Sequence, residues 1–99
     1  MNGEGARIEI RFCTQCRWML RAAWMAQELL TTFQEEIGEV ALIPATGGVF
    51  EIATQGKRVW SRNENGGFPE IAELKRRVRD IIAPTKNLGH SEPHNTTQS

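Results

Sequence analysis

The chain has 99 residues, enough for one hydrophobic core and too few for two, and twelve acidic residues balance twelve basic ones, so no whole-chain field recruits nucleic acid or an anionic membrane. No apolar run approaches the roughly 18 residues that span a bilayer, and Met1-Asn2-Gly3-Glu4-Gly5-Ala6 lacks the basic and apolar regions of a secretory signal; the expectation is a soluble, cytoplasmic protein with no membrane partner. The only two cysteines, Cys13 and Cys16, are too close together to staple a secreted mini-domain, and in a reducing compartment such a pair points to reactivity or to metal binding.

Ile8, Ile10 and Phe12 alternate with Glu9 and Arg11, the period of a half-buried strand, and predict a strand running into Cys13. From Thr14 to Phe33, residues Met19, Ala22, Ala26, Leu29 and Phe33 recur at three and four and predict a long helix. Gly38 interrupts. Val40-Ala41-Leu42-Ile43, an unbroken apolar run ended by Pro44, predicts a short strand covered on both faces, and Thr46-Gly47-Gly48 reads as a loop. Val49 to Thr54 and Lys57 to Ser61 form an antiparallel hairpin around Gln55-Gly56, where glycine supplies a positive φ.

After a loop from Asn63 to Gly67, Pro69 opens a second helix whose stripe of Ile71, Leu74, Val78, Ile81 and Ile82 runs to Pro84. Lys75, Arg76, Arg77 and Arg79 on this helix are interleaved with Glu70, Glu73 and Asp80. The i,i+4 pairs Glu73 to Arg77 and Arg76 to Asp80 mark a salt-bridged solvent face rather than a nucleic-acid patch. Thr85 to Ser99 has one aliphatic residue, Leu88, so residues 1–83 are read as a single domain and 84–99 as a polar, disordered tail in which His90 and His94 are solvated. The order β-α-β-β-β-α predicts an α/β, thioredoxin-like fold with a mixed four-stranded sheet, strands one and two parallel and the hairpin adding an antiparallel edge.

Cys13-Thr14-Gln15-Cys16 falls where a strand ends and a helix begins, so unpaired amides and the positive helix end favour thiolate over thiol. From Ile10 to Gln27 there is no acidic residue, while Arg11, Arg17 and Arg21 lie there, which makes the surroundings electropositive. Two intervening residues let the sulfurs meet, so one can attack a disulfide or sulfenic acid and the other resolve the intermediate, with no cofactor and no metal. Trp18 and Trp24 add apolar surface beside the dithiol and mark either a protein-partner face, self-association included, or packing under the hairpin against Phe50 and Trp60.

Ile10-Arg11-Phe12-Cys13-Thr14-Gln15-Cys16, then Ala45-Thr46-Gly47 before Phe50-Glu51-Ile52, and Gly67-Phe68 ahead of the last helix together resemble the selenoprotein W, T and H group, the Rdx family, over about Arg7 to Ala83. The resemblance implies a thioredoxin-like fold, a CxxC or CxxU redox motif and a glutathione- or thioredoxin-linked role. Cys16 stands where selenoprotein W carries selenocysteine, which implies that Cys16 attacks and Cys13 resolves; thioredoxin logic, with the first sulfur at the mouth of the helix, points the other way. In thioredoxins a cis-proline before the third strand packs on the dithiol. Here Thr46-Gly47-Gly48 takes that stretch and Pro44, of either isomer, lies earlier. Two other readings compete: a redox-switched protein-binding module without turnover, and a soft-metal CxxC domain of ferredoxin-like fold, which needs a strand after the second helix that the polar tail does not supply.

Overall fold

A computed structural model describes residues 5–89. The first strand, β1 (Ala6–Cys13), buries Ile8, Ile10 and Phe12 on one side and turns Arg7 and Arg11 to solvent on the other, as its alternation requires. It occupies an inner position in a four-stranded sheet of order β2-β1-β3-β4, parallel to β2 (Ile37–Ala45) and antiparallel to β3 (Phe50–Thr54), which pairs antiparallel with β4 (Lys57–Ser61). Helix α1 (Met19–Thr32) links β1 to β2; a short α2 (Arg62–Asn65) and then α3 (Ile71–Ile82) follow β4. This is the expected α/β, thioredoxin-like arrangement with a mixed sheet.

Ala22, Met25, Ala26, Leu29 and Phe33 from the α1 segment and Leu74 and Val78 from α3 form one core with Ile8, Ile10, Phe12, Phe50 and Ile52 of the sheet. Each of these side chains other than the two alanines contributes about 1.5–3 kcal/mol by leaving water. Lys75, 7% exposed, donates to Glu28 of α1 at 2.9 Å, so one of the basic residues expected on a solvent face instead ties the two helices together. Glu73 and Arg77 do pair, at 2.9 Å. Among the described residues no helix is long and apolar enough to cross a membrane.

Three details depart from the sequence reading. The first helix begins at Met19 rather than Thr14, because residues 14–17 form a turn in which Arg17 takes φ +63, outside the helical region. β2 is longer than expected, includes Pro44 in the trans form, and lies at the sheet edge, where a missing amide donor is tolerated; it is covered on one face, since its neighbours Glu9 and Arg11 keep the other side polar. The stretch after β4 is not all loop, since Arg62–Asn65 make one helical turn closed by Gly66 at φ +80. The hairpin turn Gln55-Gly56 has φ of +53 and +77, both positive as a type I′ turn demands.

The chain past Pro84 also differs from expectation over its described part. Leu88 is 8% exposed within the core cluster, Lys86 N–H donates to the Ala83 carbonyl at 2.9 Å, and the Lys86 carbonyl accepts from Arg79 at 2.8 Å. A single aliphatic residue gives no periodicity, which is why the anchor is invisible in the sequence. His90 and His94 lie outside the described residues.

Candidate redox site

β1 pairs with β2 up to Cys13 opposite Ala45, and the chain then leaves the sheet in a tied-down turn. Cys13 N–H donates to the Val49 carbonyl at 2.8 Å, and Thr14 sends both its N–H, at 3.0 Å, and its hydroxyl, at 3.3 Å, to the Ala45 carbonyl. Arg17 N–H closes the turn on the Thr14 carbonyl at 3.1 Å. The Cys16 thiol donates to the Cys13 sulfur across 2.8 Å; both cysteines are free, Cys13 is 1% exposed, and Cys16 is half-buried. Closing a disulfide, with its S–S bond of about 2.05 Å, requires little movement from this position.

The charge distribution in the pair follows from its surroundings. The Cys13 thiol is pushed below the usual cysteine value, first by the hydrogen bond from Cys16 and then by backbone N–H groups of Gly48, Cys16 and Gln15, which together outweigh its burial. Cys16 is pushed up, because it is the donor to Cys13 and loses solvent, while the Arg62 guanidinium and the Gly48 N–H pull the other way. The start of α1, at Met19 beyond both cysteines, is therefore not the source of these shifts. The amides facing the sulfurs belong to the turn and to the Gly48 loop, a small nest of N–H groups, and the nearest effective cation is Arg62.

Of the expected supporting residues, Gly48 reaches both sulfurs through its N–H, Thr46 and Gly47 are exposed members of the same loop, and Arg17 shapes the turn through its backbone. Gly48 has φ +75 and an added Cβ would meet nothing within 4 Å, so the cost of Gly48→Ala is conformational, about 1–2 kcal/mol. The variant should fold with a modestly lower Tm, and the Cys13 thiolate absorbance should appear at higher pH as the strained amide moves away. An unchanged titration would remove Gly48 from the site.

The two tryptophans part company. Trp18 is half-buried, edge-on to Phe68 at 4.9 Å and to Phe50 at 6.2 Å, while Trp60 instead donates to the Gly67 carbonyl at 2.8 Å. Trp24, 46% exposed, lies on the outer side of α1 with Leu20, 81% exposed, and Met19. Arg62 was not singled out in the sequence, and Phe68 only as part of the Gly67-Phe68 motif of the resemblance, with no role at the site. The signal lies in two registers: Phe12 opposes Phe50 and Glu51 opposes Ser61, so the residue after Ser61 must return to the end of the sheet that holds Cys13. A groove of about 390 Å³ lined by Arg7, Glu9, Thr54 and Gly56 lies toward the other end of β1, away from the thiols. Among the described residues no group of three His, Cys, Asp or Glu side chains is placed to hold a metal ion.

Comparison with known proteins agrees with this geometry. A crystal structure of a protein from Bordetella parapertussis and one of a selenoprotein W-related protein from Vibrio cholerae each superpose with a TM-score of 0.77 at 60% identity, over 79% of this chain and 99% and 98% of theirs. Migration and invasion enhancer 1 is 30% identical in Mus musculus and 33% identical in Bos taurus, in each case over 95 residues covering 92% of this chain and 79% of that protein. The Rdx family model matches residues 7–80, a span that contains both thiols, the Gly48 loop, Arg62 and Phe68. The chain that builds its dithiol into this turn belongs to the Rdx family, and its relatives are selenoprotein W-like.

Proposed function

We propose that this protein is a thiol-disulfide redox protein that uses Cys13 and Cys16 as its working pair and draws electrons from glutathione or a thioredoxin-type reductant. The observation that carries the reading is the contact of two free thiols across 2.8 Å with backbone amides favouring one negative charge on the pair. In the forward step the proton of the Cys16 thiol passes to the Cys13 thiolate, the more accessible Cys16 thiolate attacks one sulfur of a substrate disulfide, the substrate S–S bond breaks, and the departing sulfur takes the electron pair and the proton held by Cys13. Cys13, as thiolate, then attacks the Cys16 sulfur of the mixed disulfide, releasing the second substrate thiol and leaving a Cys13 to Cys16 disulfide. Two thiols of the reductant restore the pair by the same exchange in reverse. The two sulfurs carry both electrons, so the cycle calls on no bound cofactor. The exposed Met19, Leu20 and Trp24 on α1, the helix that follows the pair, support a protein as one redox partner.

The test is equilibration in glutathione buffers of stepped potential, followed by acid quenching, alkylation and mass measurement. A reversible two-electron transition with an intramolecular disulfide is expected, and substrate reduction should continue through many turnovers when glutathione and its reductase are supplied. Oxidation that stops after one equivalent would favour a redox-switched binding module. Stable zinc at one ion per chain with no disulfide would replace the redox reading with a metal one.

A further inference from the structure

The chain is formally neutral, yet its cations are unevenly neutralised. Arg7 pairs with Glu9 and Glu39, Arg58 with Glu51 and Glu64, Lys75 with Glu28, Arg77 with Glu73, and Lys86 with Glu36. Arg21 and Arg62 pair with no carboxylate among the described residues, and they converge. Their guanidinium carbons stand 4.0 and 5.3 Å from the centre of one ring, that of Phe68, and Arg62 is also 4.9 Å from the ring of Trp18, two residues beyond Cys16. Ring faces can hold two guanidinium groups, but they do not cancel the repulsion between them. The Nε of Arg62 is buried with no hydrogen-bond partner among the described residues, α1 has no acid in its first turn, and Arg17 adds an exposed cation in the turn itself. Positive charge is thus collected at the thiol end of the molecule and left uncompensated.

We propose that Arg21 and Arg62 form a carboxylate subsite beside Cys16, so that the dithiol selects thiols and disulfides carrying a negative charge near the reacting sulfur. The proposal rests on the thiol-disulfide reading above and names its substrate class. The subsite takes no part in the electron transfer. It holds the carboxylate while the Cys16 to substrate S–S bond forms and the substrate's own S–S bond breaks, with the electron pair and a proton leaving on the departing thiol. Charge on Arg62 also favours the Cys16 thiolate. That second effect scales the rate with every substrate alike, whereas the subsite changes the ratio between substrates.

The experiment measures exchange of the reduced, full-length chain with three small symmetrical disulfides: 3,3′-dithiodipropionate, bis(2-hydroxyethyl) disulfide and cystamine, which are anionic, neutral and cationic. Each rate is divided by that of the same disulfide with 2-mercaptoethanol, which removes differences in leaving-group reactivity. The normalised anion-to-cation ratio should be about tenfold at low ionic strength, shrink in 0.5 M salt, and collapse toward unity in an Arg21→Gln, Arg62→Gln double variant, with Arg62→Lys retaining most of it. Arg21→Gln alone, at an exposed position, should halve the preference on a logarithmic scale and serves if the double variant does not fold. Equal normalised rates for all three reagents in the unaltered protein would overturn the subsite while leaving the redox reading standing. Exchange with none of them would overturn both.

Discussion

In Cys13→Ser protein, Cys16 should react with iodoacetamide at least about tenfold faster at pH 7 than Cys13 does in Cys16→Ser protein, although in the intact pair the charge resides on Cys13. The signs follow from the causes of each shift. The largest influence lowering Cys13 is the hydrogen bond from the Cys16 thiol, so removing that thiol raises Cys13 toward its ordinary value. The largest influence raising Cys16 is its donation to Cys13; without the Cys13 sulfur, Cys16 titrates lower than in the pair, with its burial still raising it and Arg62 and the Gly48 amide lowering it. Access acts in the same direction, since Cys13 is 1% exposed and Cys16 is half-buried. Alkylation followed across pH in both variants checks this, and Cys13→Ser should be the one that traps a mixed disulfide with glutathione. A fast, acidic Cys13 in the Cys16→Ser protein would reverse the assignment to the ordinary thioredoxin order. In the unaltered protein, the rate should climb as pH rises through the first ionisation of the pair, below the usual cysteine range, because the attacking thiolate is drawn from that shared monoanion.

Ending the chain after Lys86, or replacing Leu88 by Ala, should cost about 2–5 kcal/mol, a large share of the 5–15 kcal/mol that holds a domain together. For a domain of this size, that corresponds to a Tm lower by roughly 10 °C or more. The expectation rests on the burial of Leu88 against the core, supported by the Arg79 to Lys86 carbonyl bond and the Lys86 to Glu36 ion pair at 3.3 Å. A chain ending after Gly89 keeps all of these contacts and should melt with the full-length protein. Thermal melts of the three chains decide the matter: equal Tm values would show that Leu88 is a bystander, and the domain would then end near Ala83 as its hydrophobic periodicity implies.

Elements whose signal is local were legible. The alternation Ile8, Ile10, Phe12 and the stripe Ile71, Leu74, Val78 report backbone periods of two and 3.6 residues, which side-chain burial imposes within a few neighbours, and both segments form as expected. Gln55-Gly56 is a turn because of its own φ angles. The CxxC pair at the end of a strand was visible for the same reason. The start of α1 was not, because Thr14 to Arg17 have no period of their own and are held by the carbonyls of Ala45 and Val49 across the sheet, acting on Cys13 and Thr14.

The sequence by itself determined an α/β fold with its two cysteines juxtaposed at a strand end, since periodicity and spacing suffice for that. Tertiary structure alone decided the electrostatic character of the site. Gly48 faces the sulfurs because β3 runs antiparallel to β1, and the further pairing of β3 with β4 brings Arg62 to Cys16 and leads the chain on to Phe68, which packs on Trp18. Lys75 is spent on Glu28, whereas Arg21 and Arg62 remain without a carboxylate among the described residues. Which charges cancel depends on which side chains come within a few ångströms after folding, because electrostatic and hydrogen-bond energies are set by distance in space and by local solvent rather than by separation along the chain.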